Sequence, residues 1–242
     1  MKRPSSIVIL TGAGISAESG LGTFRGSDGL WNGINLLEVS TPSGFARNPS
    51  KVHDFYNMCR RIGIEAQANA AHVALARLEQ EFDGDFLLIT QNVDRLHEQA
   101  GSKKLLHMHG DLGKARCTAC GDEREWLTDL SVETACPSCQ RKGTMRPAIV
   151  WFEEVPLHVD EICTALEKCD LFISIGTSGN VFPASEFVAE AKRRNAATVE
   201  LNLEPSERVT LFDDARHGRA TEIVPAFVDE FLAEHGSAYV VA

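Results

Sequence analysis

No run of apolar residues in this 242-residue chain approaches 18, so no membrane-spanning helix is predicted. Basic residues are outnumbered, 24 Lys and Arg against 34 Asp and Glu, for a formal charge of −10. That balance argues against nucleic acid as the main partner and suits cationic substrates or none in particular. The opening MKRPSSIVILTG has a basic tip and a short apolar run but no small-residue cleavage site. No secretory leader is expected, and the cytoplasm is the default compartment. Internal repeats and low-complexity stretches are also missing. What is there is ordinary: 43% hydrophobic and 24% charged residues, in a chain long enough for one large domain or one domain with a smaller insert.

Short apolar runs recur at Ile7–Leu10, Phe86–Thr90, Leu105–Met108, Ala148–Phe152, Leu171–Ile175 and Thr198–Leu201. Each reads as a buried parallel strand. Helical patterns at Asn69–Glu81, Pro183–Arg194 and Pro225–His235 lie between or after them. The alternation predicts an α/β protein: a Rossmann-like parallel sheet with helices on both faces. Two stretches break the rhythm, 35–83 and 114–146, and read as inserts forming a small lobe of helices and a zinc ribbon. Residues 1–34, 84–113 and 147–242 are then the large, nucleotide-binding domain.

The second insert carries Cys117 and Cys120, then Cys136 and Cys139: two C-x2-C pairs with 15 residues between them. That spacing brings four thiolates to one tetrahedral zinc, with no open position and therefore a structural role. The bland reading, reduced or disulfide-paired cysteines, fits this spacing less well. Cys59, Cys163 and Cys169 are left as reduced core thiols.

Gly12-Ala13-Gly14-Ile-Ser16-Ala17 reads as a G-x-G-x-x-A turn admitting a dinucleotide pyrophosphate. The acid-tipped second strand that should follow is missing. A polar, Gly-rich segment through Trp31 stands in its place. Other polar groups sit at later strand ends: Gln91, Asn92 and Asp94 after Phe86–Ile89; His109 before Gly110; Gly176-Thr177-Ser178; and Asn202 with Glu204. Each alone has an ordinary reading, as a cap, a turn or a packed histidine. In an open parallel sheet, however, strand carboxyl ends share one edge, and the ribose contact can come from one of these later strands.

With GAGIS…SG…FR at 12–25, TQNVDRLHEQAG at 90–101, HG at 109–110, the two Cys pairs, RPAIVWF at 146–152, GTS at 176–178 and NLE at 202–204, the chain resembles the sirtuins. These are NAD-dependent protein-lysine deacylases, and FYNM at 55–58 and LNLEPS at 201–206 point to the bacterial class III branch. The resemblance implies that Gly12 to Arg25, including Ala13, Gly14, Ser16, Ala17, Glu18, Thr23, Phe24 and Arg25, hold the pyrophosphate and nearby ribose. It implies that the loop through Trp31 closes over the nicotinamide side. Asn92 and Asp94 would line the nicotinamide pocket, Gln91 beside them would contact NAD, and His109 would be the general base. Gly176, Thr177, Ser178, Asn202, Leu203 and Glu204 would contact adenosine, with Ala220, ahead of a last strand, giving a backbone contact. Val150, Trp151, Phe152 and Glu153 would pair with the substrate peptide, and the acyl-lysine tunnel would lie between the lobes. The implied reaction releases nicotinamide and passes the acyl group from a protein lysine to ADP-ribose. NAD and one structural zinc are the implied cofactors.

Two positions depart from the family pattern. The class III Tyr-x-x-Arg, which binds an acyl carboxylate, here reads Tyr56-Asn-Met-Cys59, followed by Arg60 and Arg61. Cysteine cannot pair with a carboxylate as arginine does, so deacetylation is expected to be retained and desuccinylation or demalonylation to be weak. Glu153 replaces a glycine, in a stretch where glycine permits close approach or an unusual dihedral. Other readings are protein ADP-ribosyl transfer, a non-catalytic NAD sensor with His109 idle, and a zinc alcohol dehydrogenase-like oxidoreductase. The last lacks an open zinc site.

Overall fold

A computed structural model describes residues 3–23 and 35–235. The strands and helices, in chain order, are β1 (Ser6–Thr11), α1 (Leu36–Val39), α2 (Pro42–Arg47), α3 (Pro49–Glu65), α4 (Ala70–Glu81), β2 (Asp85–Thr90), α5 (Leu96–Ala100), β3 (Leu105–His107), β4 (Gly110–Cys117), β5 (Glu123–Glu125), β6 (Met145–Ile149), α6 (Val159–Leu166), β7 (Leu171–Ile175), α7 (Phe187–Arg193), β8 (Ala197–Asn202), β9 (Asp214–His217) and α8 (Ala220–His235).

Six strands form one parallel sheet in the order β3-β2-β1-β7-β8-β9. The order reverses between β1 and β7, the place where open α/β sheets bind ligands. Alternate residues of β1 explain why the sheet is covered twice. Ile7 and Ile9 face α4 and α8, packing with Leu75, Leu78, Val224 and Phe227. Val8 and Leu10 face α6 and α7, packing with Ile162, Leu166, Phe187 and Val188.

The second sheet is antiparallel, β5-β4-β6. The run at Ala148–Phe152, expected as a parallel strand, therefore splits: Met145–Ile149 belongs to this small sheet, and Phe152 and Glu153 to a turn. Helices α1 to α3 pack on it through Val39, Val52, Phe55, Tyr56 and Cys59 against Leu112, Ile149 and Trp151. Packing also moves the boundaries of the expected inserts. Helix α4 lies inside the 35–83 stretch, yet its apolar side is buried on the large sheet, while the small sheet extends beyond 114–146 to Gly110 and Ile149. Strand β9 and the first turn of α8 went unforeseen, because Asp214–His217 has no apolar alternation and Pro225 lies within the helix rather than at its start. Of the three leftover thiols, Cys59 and Cys169 are buried but Cys163 is exposed.

Candidate active site

The floor of the site is two turns fitted into each other. Gly12 N donates to the Ile175 carbonyl (2.9 Å) and Gly14 N to the Gly176 carbonyl (2.8 Å). Gly12 is extended, at φ −126°, so conformational freedom is not why it is glycine. Space is. A Cβ on Gly12 would lie 2.8 Å from the Gly176 oxygen, one on Gly14 2.7 Å from Gly176 Cα, and one on Gly176 2.5 Å from Ile15 N. Gly176 also needs its φ of +62°. Ala13 and Ala17 follow from this turn, Ala13 half-buried and Ala17 exposed.

Beside that floor, the end of β2 delivers a buried polar cluster. Asn92 Nδ2 donates to the Gly12 carbonyl (3.2 Å) and to Ser16 Oγ (3.1 Å). Asp94 Oδ2 accepts from Ser16 Oγ (3.0 Å), and Oδ1 from Leu96 N (3.1 Å). Burial pushes the Asp94 carboxyl above the usual range. His72, on α4, completes the set. Its Nδ1 accepts from Asn69 N (3.3 Å), so the proton sits on Nε2, which approaches Ser16 Oγ at 3.4 Å. With both lone pairs of Ser16 Oγ engaged by donors, its own hydrogen is directed to Asp94. Burial drives the His72 imidazole down to about 4. His97 lies behind the same cluster, 3.0 Å from Thr11 Oγ1 and edge-on to His72. Sequence reasoning missed His72. The signal that could have found it was a polar residue three positions after Asn69, where a capping box places its second member.

His109 stands between β3 and β4. Its Nδ1 is 3.1 Å from the Gln91 carbonyl, which fixes the proton on Nδ1 and leaves Nε2 as the basic nitrogen. Burial holds its pKa below the ordinary histidine value. The next residue must be glycine: Gly110 has φ +86°, and a Cβ there would lie 2.1 Å from the Ala148 oxygen. Gln91 Nε2 donates to Thr177 Oγ1 (3.0 Å), and Asn202 Nδ2 to the Thr177 carbonyl (2.9 Å), so the ends of β2, β7 and β8 are tied together. His107 is bound to Asn92 O and Glu98.

The remaining expected residues divide. Ser178, Leu203 and Glu204 are exposed near that edge, Leu203 N capped by Asn202 Oδ1 (3.0 Å). Thr23 is half-buried. Glu18 is spent locally, accepting from Thr221 N (3.0 Å) and Oγ1 (2.8 Å) at the start of α8. Ala220 opens α8 and follows the last strand rather than preceding it. Phe24, Arg25 and Trp31 lie outside the described residues.

On the small-lobe side, Tyr56 and Trp151 are buried together. The indole Nε1 donates to Tyr56 Oη (3.0 Å), which also meets Ser40 Oγ (3.1 Å). Burial raises the Tyr56 phenol and the Cys59 thiol to about 12 each, so both are neutral. Among the described residues of α3, no guanidinium takes the place of the missing arginine. Arg60 turns the other way, toward Leu112 O and Asn57, and Arg61 is exposed and bound to Asp129. Arg146 lies over the Trp151 ring at 3.3 Å and pairs with Glu154. Val150 N donates to the His109 carbonyl (2.9 Å) and Phe152 N to the Ser40 carbonyl (2.9 Å). Glu153 adopts φ +74°.

The four sulfurs of Cys117, Cys120, Cys136 and Cys139 lie within 4.8 Å of one another. Two of the separations, Cys117–Cys139 and Cys120–Cys136, are 3.7 Å. That is too long for a disulfide and matches the edge of about 3.8 Å in a tetrahedron with Zn–S near 2.3 Å. The residues fit a zinc ion.

The Sir2 family model matches residues 12–183. An NAD-dependent protein deacylase of Salmonella typhimurium is 53% identical over 229 residues, spanning 93% of this chain and 84% of the relative. One of Pasteurella multocida is 53% identical over 234 residues, spanning 96% and 100%. The solved structure of a Sir2 homologue–NAD complex, 37% identical, superposes with a TM-score of 0.89 over 96% of this chain and 91% of that one. On sequence and on fold, the chain belongs to the Sir2 family.

Proposed function

We propose that this chain is an NAD-dependent protein-lysine deacylase acting chiefly on uncharged acyl groups. The observation that supports it best is His109. Its Nδ1 proton is committed to Gln91 O, and among the described residues its Nε2 has no hydrogen-bond partner, at the edge where both glycine turns and the Ser16–Asn92–Asp94 cluster meet. NAD supplies a ribose whose anomeric carbon gives up nicotinamide and accepts the acyl oxygen. The chain's own groups do the rest. Gly12 to Ser16 and Gly176 to Ser178 cradle the pyrophosphate and ribose, and Asn202 with its neighbours Leu203 and Glu204 serves the adenosine side. Asn92 and Asp94, fixed by Ser16, hold the nicotinamide end and exclude water from it. His109 Nε2 takes a proton from a ribose hydroxyl, freeing that oxygen to attack the acyl carbon. Water then completes the exchange: the bond from acyl carbon to lysine nitrogen breaks, and the lysine leaves as the free amine with the acyl group on ADP-ribose.

Tyr56, Cys59 and Trp151 form the wall against the acyl group, with Val150 to Glu153 beside the peptide backbone. Those three side chains are neutral, and the Arg146 guanidinium over the Trp151 ring is already paired with Glu154, which favours acetyl over succinyl. His109→Ala should bind ADP-ribose as the parent does and lose deacetylation by at least ~100-fold. Mass spectrometry should find O-acetyl-ADP-ribose and free nicotinamide as parent products. ADP-ribosyl adducts on protein instead, or an undiminished His109→Ala rate, would refute the reading. Cys59→Arg restores a guanidinium one turn from Tyr56 and should raise desuccinylation at least ~10-fold. Equal succinyl and acetyl efficiencies in the parent would count against a neutral wall.

A further inference from the structure

A cavity of about 410 Å³ opens between α3, the segment from Val93 to Gln99, and β4. That volume is in the range of small-molecule sites. Apolar side chains give much of its lining, with Leu96 and Leu112 buried and Ile64 and Leu127 about half exposed, at 53% and 49%, and Arg95, Glu98 and Gln99 line it as well. Arg60 also lines it, and is 2% exposed.

That guanidinium is unusually placed. Nε donates to the Leu112 carbonyl (3.0 Å) and Nη1 to Asn57 Oδ1 (3.0 Å), both neutral acceptors, and among the described residues Nη2 has no partner. The described carboxylates around it are already committed. Asp129 is held by Arg61 (3.1 Å), Asp111 by Arg95 (2.9 Å), Glu98 by His107 (2.9 Å), and Asp94 by Ser16 and Leu96 N. A buried cation without a contacting anion is costly, and here it borders that cavity.

We propose that this cavity is a second ligand site, which takes a small carboxylate with an apolar body. The carboxylate meets the Arg60 edge, and the body lies against Leu96, Leu112 and Leu127. Val93 and Asp94 line the same cavity and adjoin Asn92, so an occupant bears on the turn that holds the cluster described above. The proposal does not depend on the reaction assigned to that cluster.

The probe is octanoate, titrated by calorimetry into the zinc-loaded full chain with ADP-ribose and an acetyl-lysine peptide at saturation, so that those sites are filled. Octan-1-ol is the uncharged control. Octanoate should bind saturably and at least ~10-fold tighter than octan-1-ol, as expected for a charge-assisted hydrogen bond. Arg60→Met should weaken octanoate by at least ~10-fold. Because Arg60 also braces Asn57, a second variant leaves it intact. A Cβ at Gly63 meets only Leu112 Cδ2, at 3.8 Å, and a larger residue there suits a helix. Gly63→Leu should fold and fill the cavity, blocking octanoate. No saturable binding below ~10 mM, equal affinity for octan-1-ol, or Gly63→Leu binding like the parent would each overturn the proposal.

Discussion

Glu153 holds a backbone conformation that its side chain disfavours. At φ +74° a non-glycine residue costs roughly 1–2 kcal/mol, partly offset because glycine adds entropy to the unfolded chain. Glu153→Gly should therefore stabilise by about 0.5–1 kcal/mol and raise Tm by roughly 2 °C in a chain of this size; a lower Tm by calorimetry would show that the carboxylate is held by something else. The substitution itself was readable in WFEE. Its place in a turn was not, since an apolar Val-Trp-Phe run reads as strand until β6 is seen to end at Ile149. His109 yields a second prediction. Burial lowers its pKa, and a base must be unprotonated, so the acid limb of kcat/KM should inflect below pH 6.5, histidine's ordinary value. An inflection above 6.5 would remove His109 Nε2 as the group titrating.

At the scale of elements, Glu18 shows how far apart in sequence a motif residue and its partner can lie. It lies within the glycine motif, yet its carboxylate caps α8, some 200 residues away in sequence. Glu18→Ala should cost about 1 kcal/mol of stability and change ADP-ribose affinity less than about twofold; a large affinity loss at unchanged Tm would restore the nucleotide role. Five of the six expected strands lie in the parallel sheet, because continuous apolar runs such as Leu171–Ile175 have few other places to go. What escaped was long-range pairing. Met145–Ile149 joins β4 rather than the large sheet, and α4 joins the large sheet through a helix face whose partner, α8, is written 150 residues later. The polar strand ends were legible as a set, whereas His72, arriving from a helix, carried only the faint signature of its cap.

For the whole molecule, acid stability should report the buried histidines. His72 falls to about 4 when folded, against about 6.5 unfolded, and His97 falls well below it. The unfolded chain thus binds more protons between those values. The contribution is intact above pH 6.5 and is lost as pH falls toward 4, by on the order of 3 kcal/mol for His72. His107, raised by Glu98, and the raised Asp94 work in the opposite sense. The comparison is therefore with His72→Gln, whose amide can serve the same cap; its Tm should fall less between pH 7 and 5 than the parent's. Zinc removal is a further whole-molecule test. Asn57 grips both backbone groups of Leu130 from α3 (2.8 and 2.9 Å), so the ribbon braces the helical insert. With the four ligands metal-bound and Cys59 and Cys169 buried, Cys163 should be the one fast-reacting thiol. Chelation should raise the count to five, Cys163 plus the four ligands, and abolish deacylation reversibly.

The two glycine turns bring residues 12–14 and residue 176 within contact of each other. During synthesis the first turn therefore has nothing to close against until residue 176 has emerged. No nucleotide can template the early stages, and substitutions at the two turns should compensate or clash as a pair, so that their evolution is tied although their codons are far apart.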